Sequence, residues 1–251
     1  MTDLPPAIPA ATLILMRERP GGPPEILMTE RHSGMAFAAG ALVFPGGRID
    51  PADKAAAAAF ADVPDAGARI AAIRETIEET GIAAGVAPTP SEETLAALRA
   101  DLSENEPFTS LLARHGLKAD LAALTPFARW KPNFRETRRF DTLFFLAEAD
   151  EGAADPIAAE AEAVRAFWAS AAAILAELEA GRDHAIFPTR RNLERLALFS
   201  SIAEARADAA RHPVTMITPW VEERGGVPHV CIPEGLGYPV TAEPLETARR
   251  R

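Results

Sequence analysis

Glu75, Glu78 and Glu79 fall at i, i+3 and i+4 in the run RIAAIRETIEETGI, a spacing that gathers side chains on one side of a helix. Like charges so placed repel by roughly 0.2–0.5 kcal/mol per pair. They also stand near the negative end of the helix dipole, just ahead of Gly81 as terminator. A sequence that concentrates repulsion in one place has a use for it. A hard divalent cation supplies that use, because carboxylate oxygens are its preferred protein ligands. Upstream, Gly46 and Gly47 follow Phe44-Pro45, and glycine lets a backbone approach a ligand closely.

Other elements must hold these residues in place. Ile70, Ile73 and Ile77 recur at helical spacing and give the carboxylate helix, about 66–80, an apolar face. Residues 11–17 and 25–30 read as strands joined through RPGGPP as a hairpin. Residues 41–44 read as a short strand that Pro45-Gly46-Gly47 ends in a tight turn, and 55–60 as a short helix. Residues 83–124 read as an inserted helical segment, with Ser91 as N-cap before Leu95, Leu98 and Leu102 and a second helix over 108–115. Strands follow over 127–130, 138–146 and 164–168, then a helix over 170–180, one long helix over 189–206, and a hairpin about Gly225-Gly226. Strands interleaved with helices imply a mixed sheet between helical layers. The expectation is one domain over 1–251, of class α+β, with 182–251 as a C-terminal extension.

Composition narrows the chemistry further. A net charge of −10 argues against nonspecific binding to nucleic acid or an anionic membrane, so an anionic substrate needs local cations. The single cysteine, Cys231, permits no intrachain disulfide and no cysteine zinc cluster. The N-terminus lacks a basic region followed by an apolar core, and no apolar run is long enough to span a bilayer. A soluble, cytoplasmic protein is the default expectation.

Arg74-Glu75-Thr76-Ile77-Glu78-Glu79-Thr80-Gly81-Ile82 resembles the second half of the Nudix hydrolase signature, with Thr76 where an aliphatic residue is usual. Gly46-Gly47-Arg48-Ile49-Asp50-Pro51-Ala52-Asp53 resembles the first half, with Asp53 where the family has Glu. Twenty residues separate Asp53 from Arg74 where the family pattern has seven, so the box is split. The resemblance implies an α/β/α sandwich and a metal-dependent hydrolase of diphosphates joined to another moiety. It implies magnesium, or manganese in its place, held by Glu75, Glu78 and Glu79, with Asp53 and Glu162 as further ligands. Arg74 would pair with a box carboxylate and orient it, and Gly46 and Gly47 would lie against substrate. The general base stays open between Glu79 and a loop carboxylate, Glu136 or Glu162.

The stretch from Thr29 to Gly47 is similar in spacing to the upstream motif of coenzyme A diphosphatases, with Thr29, Arg31, Gly40 and Phe44-Pro45-Gly46-Gly47 in the expected places. His32 replaces a small residue and Ala36 an arginine, and the latter removes a partner for a 3′-phosphate. The split box and RRFDTLFFLA also resemble the peroxisomal coenzyme A diphosphatase branch and its bacterial relatives. The resemblance therefore favours coenzyme A or its acyl derivatives as substrate. ADP-ribose or NADH is the enzymatic alternative, and a nucleotide-binding sensor without turnover the non-enzymatic one. The partner is a small-molecule diphosphate rather than nucleic acid or membrane, and the insert and the C-terminal hairpin offer interfaces for a homodimer.

Several residues carry a plainer reading beside a chemical one. Arg31 stands at a strand end, as substrate contact or as surface residue. Arg138 and Arg139 precede a strand and either solubilise it or bind phosphate. Arg190 and Arg191 open a helix, where a cation opposes the dipole, and read as solvated. The five histidines show no metal-ligand spacing. Cys231 reads as a buried strand residue, and Trp130, Trp168 and Trp220 as packing.

Overall fold

β1 (Ile8–Arg19) carries apolar residues on both faces, Leu13 and Leu15 toward one core and Ile14 and Met16 toward the other. A strand patterned this way belongs in the middle of a covered sheet. A computed structural model of the chain places it there and describes residues 6–35, 38–102, 106–132, 139–149, 154–159 and 163–250. β1 turns back antiparallel as β2 (Gly22–Arg31), the expected hairpin, and β3 (Leu42–Val43) pairs with β2.

Gly46–Arg48 is not a tight turn but a short strand, β4, antiparallel to β1 at Ala10–Thr12. Gly46 lies so close to β1 that a Cβ there would come 2.7 Å from Thr12 Cα. α1 (Pro51–Ala56) starts before the expected 55–60, because Asp50 and Asp53 form a capping box and Pro51 fits the first turn. Residues 57–60 continue as one 3-10 turn. α2 (Ala66–Thr80) has the expected bounds and ends at Gly81 in the left-handed region, φ 66°.

The insert folds as β5 (Val86–Ala87), α3 (Glu92–Asp101), α4 (Phe108–Arg114) and β6 (Lys118–Ala119). Leu98, Phe108, Leu111 and Leu112 are buried in the same cluster as Ile70, Ile73 and Ile77, so the insert completes a core rather than decorating it. Buried Arg69 of α2 ties the insert's end down by donating to the carbonyls of Pro64, Leu121 and Leu124.

β7 (Thr125–Trp130), β8 (Phe140–Glu148) and β9 (Ala163–Ser170) follow, then α5 (Ala171–Glu179). The expected long helix is two, α6 (Phe187–Leu196) and α7 (Ile202–Arg211). Ser201 starts the second by accepting the Glu204 N–H, while the Glu204 carboxylate accepts the Ser200 N–H at 2.7 Å. β10 (Met216–Ile217) precedes the expected tail hairpin of β11 (Trp220–Arg224) and β12 (Val227–Cys231). β13 (Ala242–Pro244) adds a third strand to that hairpin, and α8 (Leu245–Arg250) ends the chain. Cys231 is fully buried in β12.

The main sheet runs β10-β7-β8-β1-β2-β3, with β4 also on β1 and β9 also on β2. β1–β8 and β7–β10 are parallel and the other pairs antiparallel, so the sheet is mixed. Residues of α1–α4 fill one core and residues of α5–α7 the other, giving the α/β/α layering. Arg190 and Arg191 are not solvated: they are 6% and 1% exposed and ion-paired with Glu194, Arg191 also with Glu243. Among the described residues no helix is long and apolar enough to cross a membrane.

Candidate active site

Arg74 is the hub of the split box. Its Nε and Nη2 donate to the two oxygens of Asp53 at 3.2 and 3.0 Å. Nη2 also reaches Asp50 Oδ2 and the Arg48 carbonyl, each at 3.2 Å, and Nη1 lies 3.0 Å from Glu75 and 3.3 Å from Glu78. Burial opposes the Arg74 charge, but the hydrogen bond to Asp53 and the fields of Glu75, Asp53 and Asp50 outweigh it and hold the pKa above its ordinary value. Asp53 is 1% exposed and also accepts the Asp50 N–H at 3.0 Å. Its carboxylate thus faces Arg74 across the twenty-residue gap, so the two halves meet in space.

The glutamates stand on the side of α2 that faces β4. Buried Glu79 accepts the Gly46 N–H at 3.2 Å. The Glu75 carboxylate packs on Gly47 so closely that a Cβ there would push it aside. Glu78 is the open member, with its side chain 44% exposed. Thr76, in an aliphatic position of the box, is fully buried and satisfies its hydroxyl by donating to the Ala72 carbonyl at 2.7 Å.

The C-terminal end of α2 is closed as well. A helix leaves its last four carbonyls without partners inside the helix. Here Ile77 accepts from the Gly81 N–H, Glu78 from Arg99 Nε, Glu79 from the Ala159 N–H and Thr80 from the Ile157 N–H, at 2.8–3.0 Å. Arg99 comes from α3 of the insert, and its Nη2 also donates to the Ile157 carbonyl at 2.9 Å.

A cavity of about 380 Å³ opens above the box. Arg74, Glu75, Glu78, Glu79, Gly46 and Gly47 line it. Arg31, at the end of β2, and Arg139, just before β8, also line it. The buried Arg31 Nε has no hydrogen-bond partner among the described residues, whereas Arg139 Nε donates to the Pro132 carbonyl at 3.4 Å. Asp53 does not line the cavity; it stands behind Arg74. Glu162, Glu136, Arg138 and Ala36 lie outside the described residues.

The aromatic part of the lining was not read from the sequence. Phe140, Thr142 and Phe144 alternate along β8 and share the face that lines the cavity, a pattern of period two that the sequence does contain. Trp130 of β7 and Phe187, Pro188 and Thr189 of α6 complete that wall. Trp130 pairs with Thr142 across β7 and β8, but α6 lies more than forty residues further along the chain, and no local signal links it to them.

No family model and no curated protein matches the chain. Among solved structures, the chain is similar to a NUDIX hydrolase from Alicyclobacillus acidocaldarius, at 28% identity and a TM-score of 0.69, over 82% of this chain and 97% of that one. In fold the chain is similar to that NUDIX hydrolase, and its split box resembles the Nudix signature. A MutT protein from Methanosarcina mazei is more distant, at 18% identity and TM-score 0.43 over 76% of this chain and 93% of that one. So is the NUDIX domain of Shewanella oneidensis NrtR, complexed with ADP ribose, at 13% identity and TM-score 0.43 over 75% and 85%.

Within this site the donor set suits a hard divalent cation in kind: three glutamates on one helix, all at the cavity edge. As placed, Glu75 and Glu78 turn toward Arg74, and Glu79 toward the Gly46 N–H. No three acidic, histidine or cysteine side chains among the described residues converge as a cage.

Proposed function

We propose that this hydrolase cleaves the diphosphate bond of a nucleoside-diphosphate-linked metabolite, with coenzyme A or its acyl derivatives as favoured substrate. One observation carries the reading: the box carboxylates, Arg31, Arg139 and an apolar wall all border the same cavity. A diphosphate needs both signs of charge around it, cations for its oxygens and carboxylates for metal and water. The Thr29, Arg31 and Gly40 spacing supports the coenzyme A preference.

Glu75, Glu78 and Glu79 would hold magnesium or manganese. Bound there, the ion supplies charge neutralisation and a more acidic water. Asp53, with both oxygens on Arg74, acts as a positioning group rather than a ligand. Arg74 fixes the angle at which Glu75 and Glu78 present their oxygens. Arg31 donates to a phosphate oxygen through the Nε that has no partner among the described residues, and Arg139, lining the same cavity, adds a second cation. Glu79, which lines the cavity, would take a proton from the attacking water.

The test is magnesium-dependent product release from a panel of coenzyme A, acyl-coenzyme A, ADP-ribose and NADH. Cleavage of coenzyme A ahead of the others is the expected result. Preference for ADP-ribose or NADH overturns the substrate assignment but keeps the reaction. Tight binding of one compound with no cleavage of any makes the protein a nucleotide sensor.

A further inference from the structure

The aromatic wall is anchored by the C-terminal extension through a chain of contacts that the reaction itself does not require. Phe187, the first residue of α6, is half-buried and lines the cavity. Behind it, Trp130 packs edge-to-face with centroids 6.1 Å apart, and the Arg191 guanidinium lies 5.0 Å from the Phe187 ring. Trp130 is itself fixed. Its indole N–H donates to Tyr238 Oη at 3.1 Å and points to Asn192 Oδ1 at 3.4 Å, and the Tyr238 hydroxyl donates to Asn192 Oδ1 at 2.8 Å. The Trp130 and Tyr238 rings meet edge-to-face at 5.5 Å. All three of these residues are buried, Asn192 completely.

This arrangement has a direction. A ring half open to a cavity is backed by an indole, the indole by a phenol, and the phenol by a residue of α6, the helix that carries the ring. A wall meant only to exclude water needs no such restraint, since any apolar side chains would serve. A wall that must meet a flat ligand at a set angle does need it, because aromatic contacts favour offset or edge geometries over arbitrary ones. The box and the two arginines, which border the same cavity, account for the phosphates.

Building on the hydrolase reading above, we infer that Phe187 is the specificity-determining residue that receives the planar base of the substrate, and that Tyr238 is a positioning residue acting on it through Trp130. The extension over 182–251 therefore sets which leaving group is accepted, while the box sets the chemistry. A substrate offering only phosphates gains nothing from this wall.

The test measures equilibrium binding, by calorimetry with magnesium present, of two non-hydrolysable probes: the methylene analogue of ADP and methylenediphosphonate. For the whole chain, the nucleotide probe binds more tightly than the bare diphosphonate. Phe187→Ala weakens the nucleotide probe about tenfold, as loss of one base–aromatic contact does, and leaves the diphosphonate within about twofold. Phe187→Trp restores the nucleotide affinity. Tyr238→Phe weakens it about three- to fivefold, the scale of one lost hydrogen bond, and again spares the diphosphonate. Phe187→Leu keeps the packing volume and should behave as Phe187→Ala, so misfolding of the alanine variant leaves the question decidable. Equal loss for both probes, or none for either, overturns the inference. A wild-type protein that binds the two probes equally also overturns it while leaving the hydrolase reading intact. Binding of neither probe defeats that reading, and this inference with it.

Discussion

Arg74 is shared among Asp50, Asp53, Glu75 and Glu78 at the edge of a cavity. Beneath the tail, Arg190, Arg191 and Arg195 meet Glu194, Glu243 and Asp208, and none of these six lines the cavity. Both regions bury arginine among carboxylates, but the ratio differs. The first has a surplus of negative charge and an opening; the second is balanced and sealed. A surplus beside an opening invites a cation from outside. A balanced, closed set has no such need, and its arginines serve the fold by joining α6 to α7 and to β13. Buried arginine by itself is therefore a poor sign of function; the local charge sum and the access to it decide.

The largest expected effect breaks the surplus. Glu78→Gln or Glu79→Gln lowers magnesium-dependent turnover by about a thousandfold, within the range for loss of a proton-transfer group or metal ligand, while far-ultraviolet circular dichroism stays unchanged. Retained turnover would show that the surplus has no catalytic use. In the balanced region the cost falls on stability. Asp208→Ala leaves Arg195 buried beside no carboxylate among its contacts and should lose about 3–5 kcal/mol in urea unfolding.

Magnesium sharpens the contrast. At a hundredfold excess over its dissociation constant it stabilises the folded chain by about 2.7 kcal/mol. Glu78→Gln loses much of that increment, whereas Asp208→Ala keeps it on top of a lower baseline; differential scanning calorimetry reads both. The smallest effect concerns pH. Burial pushes the Glu194 carboxyl above its usual pKa, although Arg191 and Arg190 pull the other way. An acid whose folded pKa is raised adds stability below about pH 4.5 and loses it as pH rises through the raised value. Glu194→Gln removes that pH dependence, so its unfolding midpoint should rise relative to the wild type by about 3 °C at most between pH 4 and 7, on top of a pH-independent loss from its pairs with Arg190 and Arg191. A gain that grows toward low pH would reverse the sign.

The box was legible because chemistry dictates residue type: carboxylates at that spacing suit a hard cation, and only glycine fits against the β1 backbone at position 46. α2 and its stop at Gly81 were legible for the same local reasons. Two other signals were present but easily passed over. Asp50-Pro51 marks the true start of α1, and Ser201 with Glu204 marks the start of α7 inside a stretch of otherwise good helix formers. The balanced cluster was not legible. Arg191 finds Glu243 across 52 residues, and no window along the sequence shows that a cation at a helix start has such a partner. The aromatic wall was hidden likewise, since Trp130 and Tyr238 lie 108 residues apart.

The fully capped end of α2 bears on how the site is kept ready. Helix ends fray, and each residue that orders on ligand binding costs roughly 1–2 kcal/mol in lost backbone freedom. Glu78 and Glu79 sit in the last turn, where fraying would begin, yet their carbonyls are held by Arg99 of the insert and by the segment around Ile157. The ordering is completed when the chain folds, so an arriving cation meets a turn already fixed. The insert thus acts as a splint for the catalytic helix, and trimming it would loosen two glutamates from some distance away.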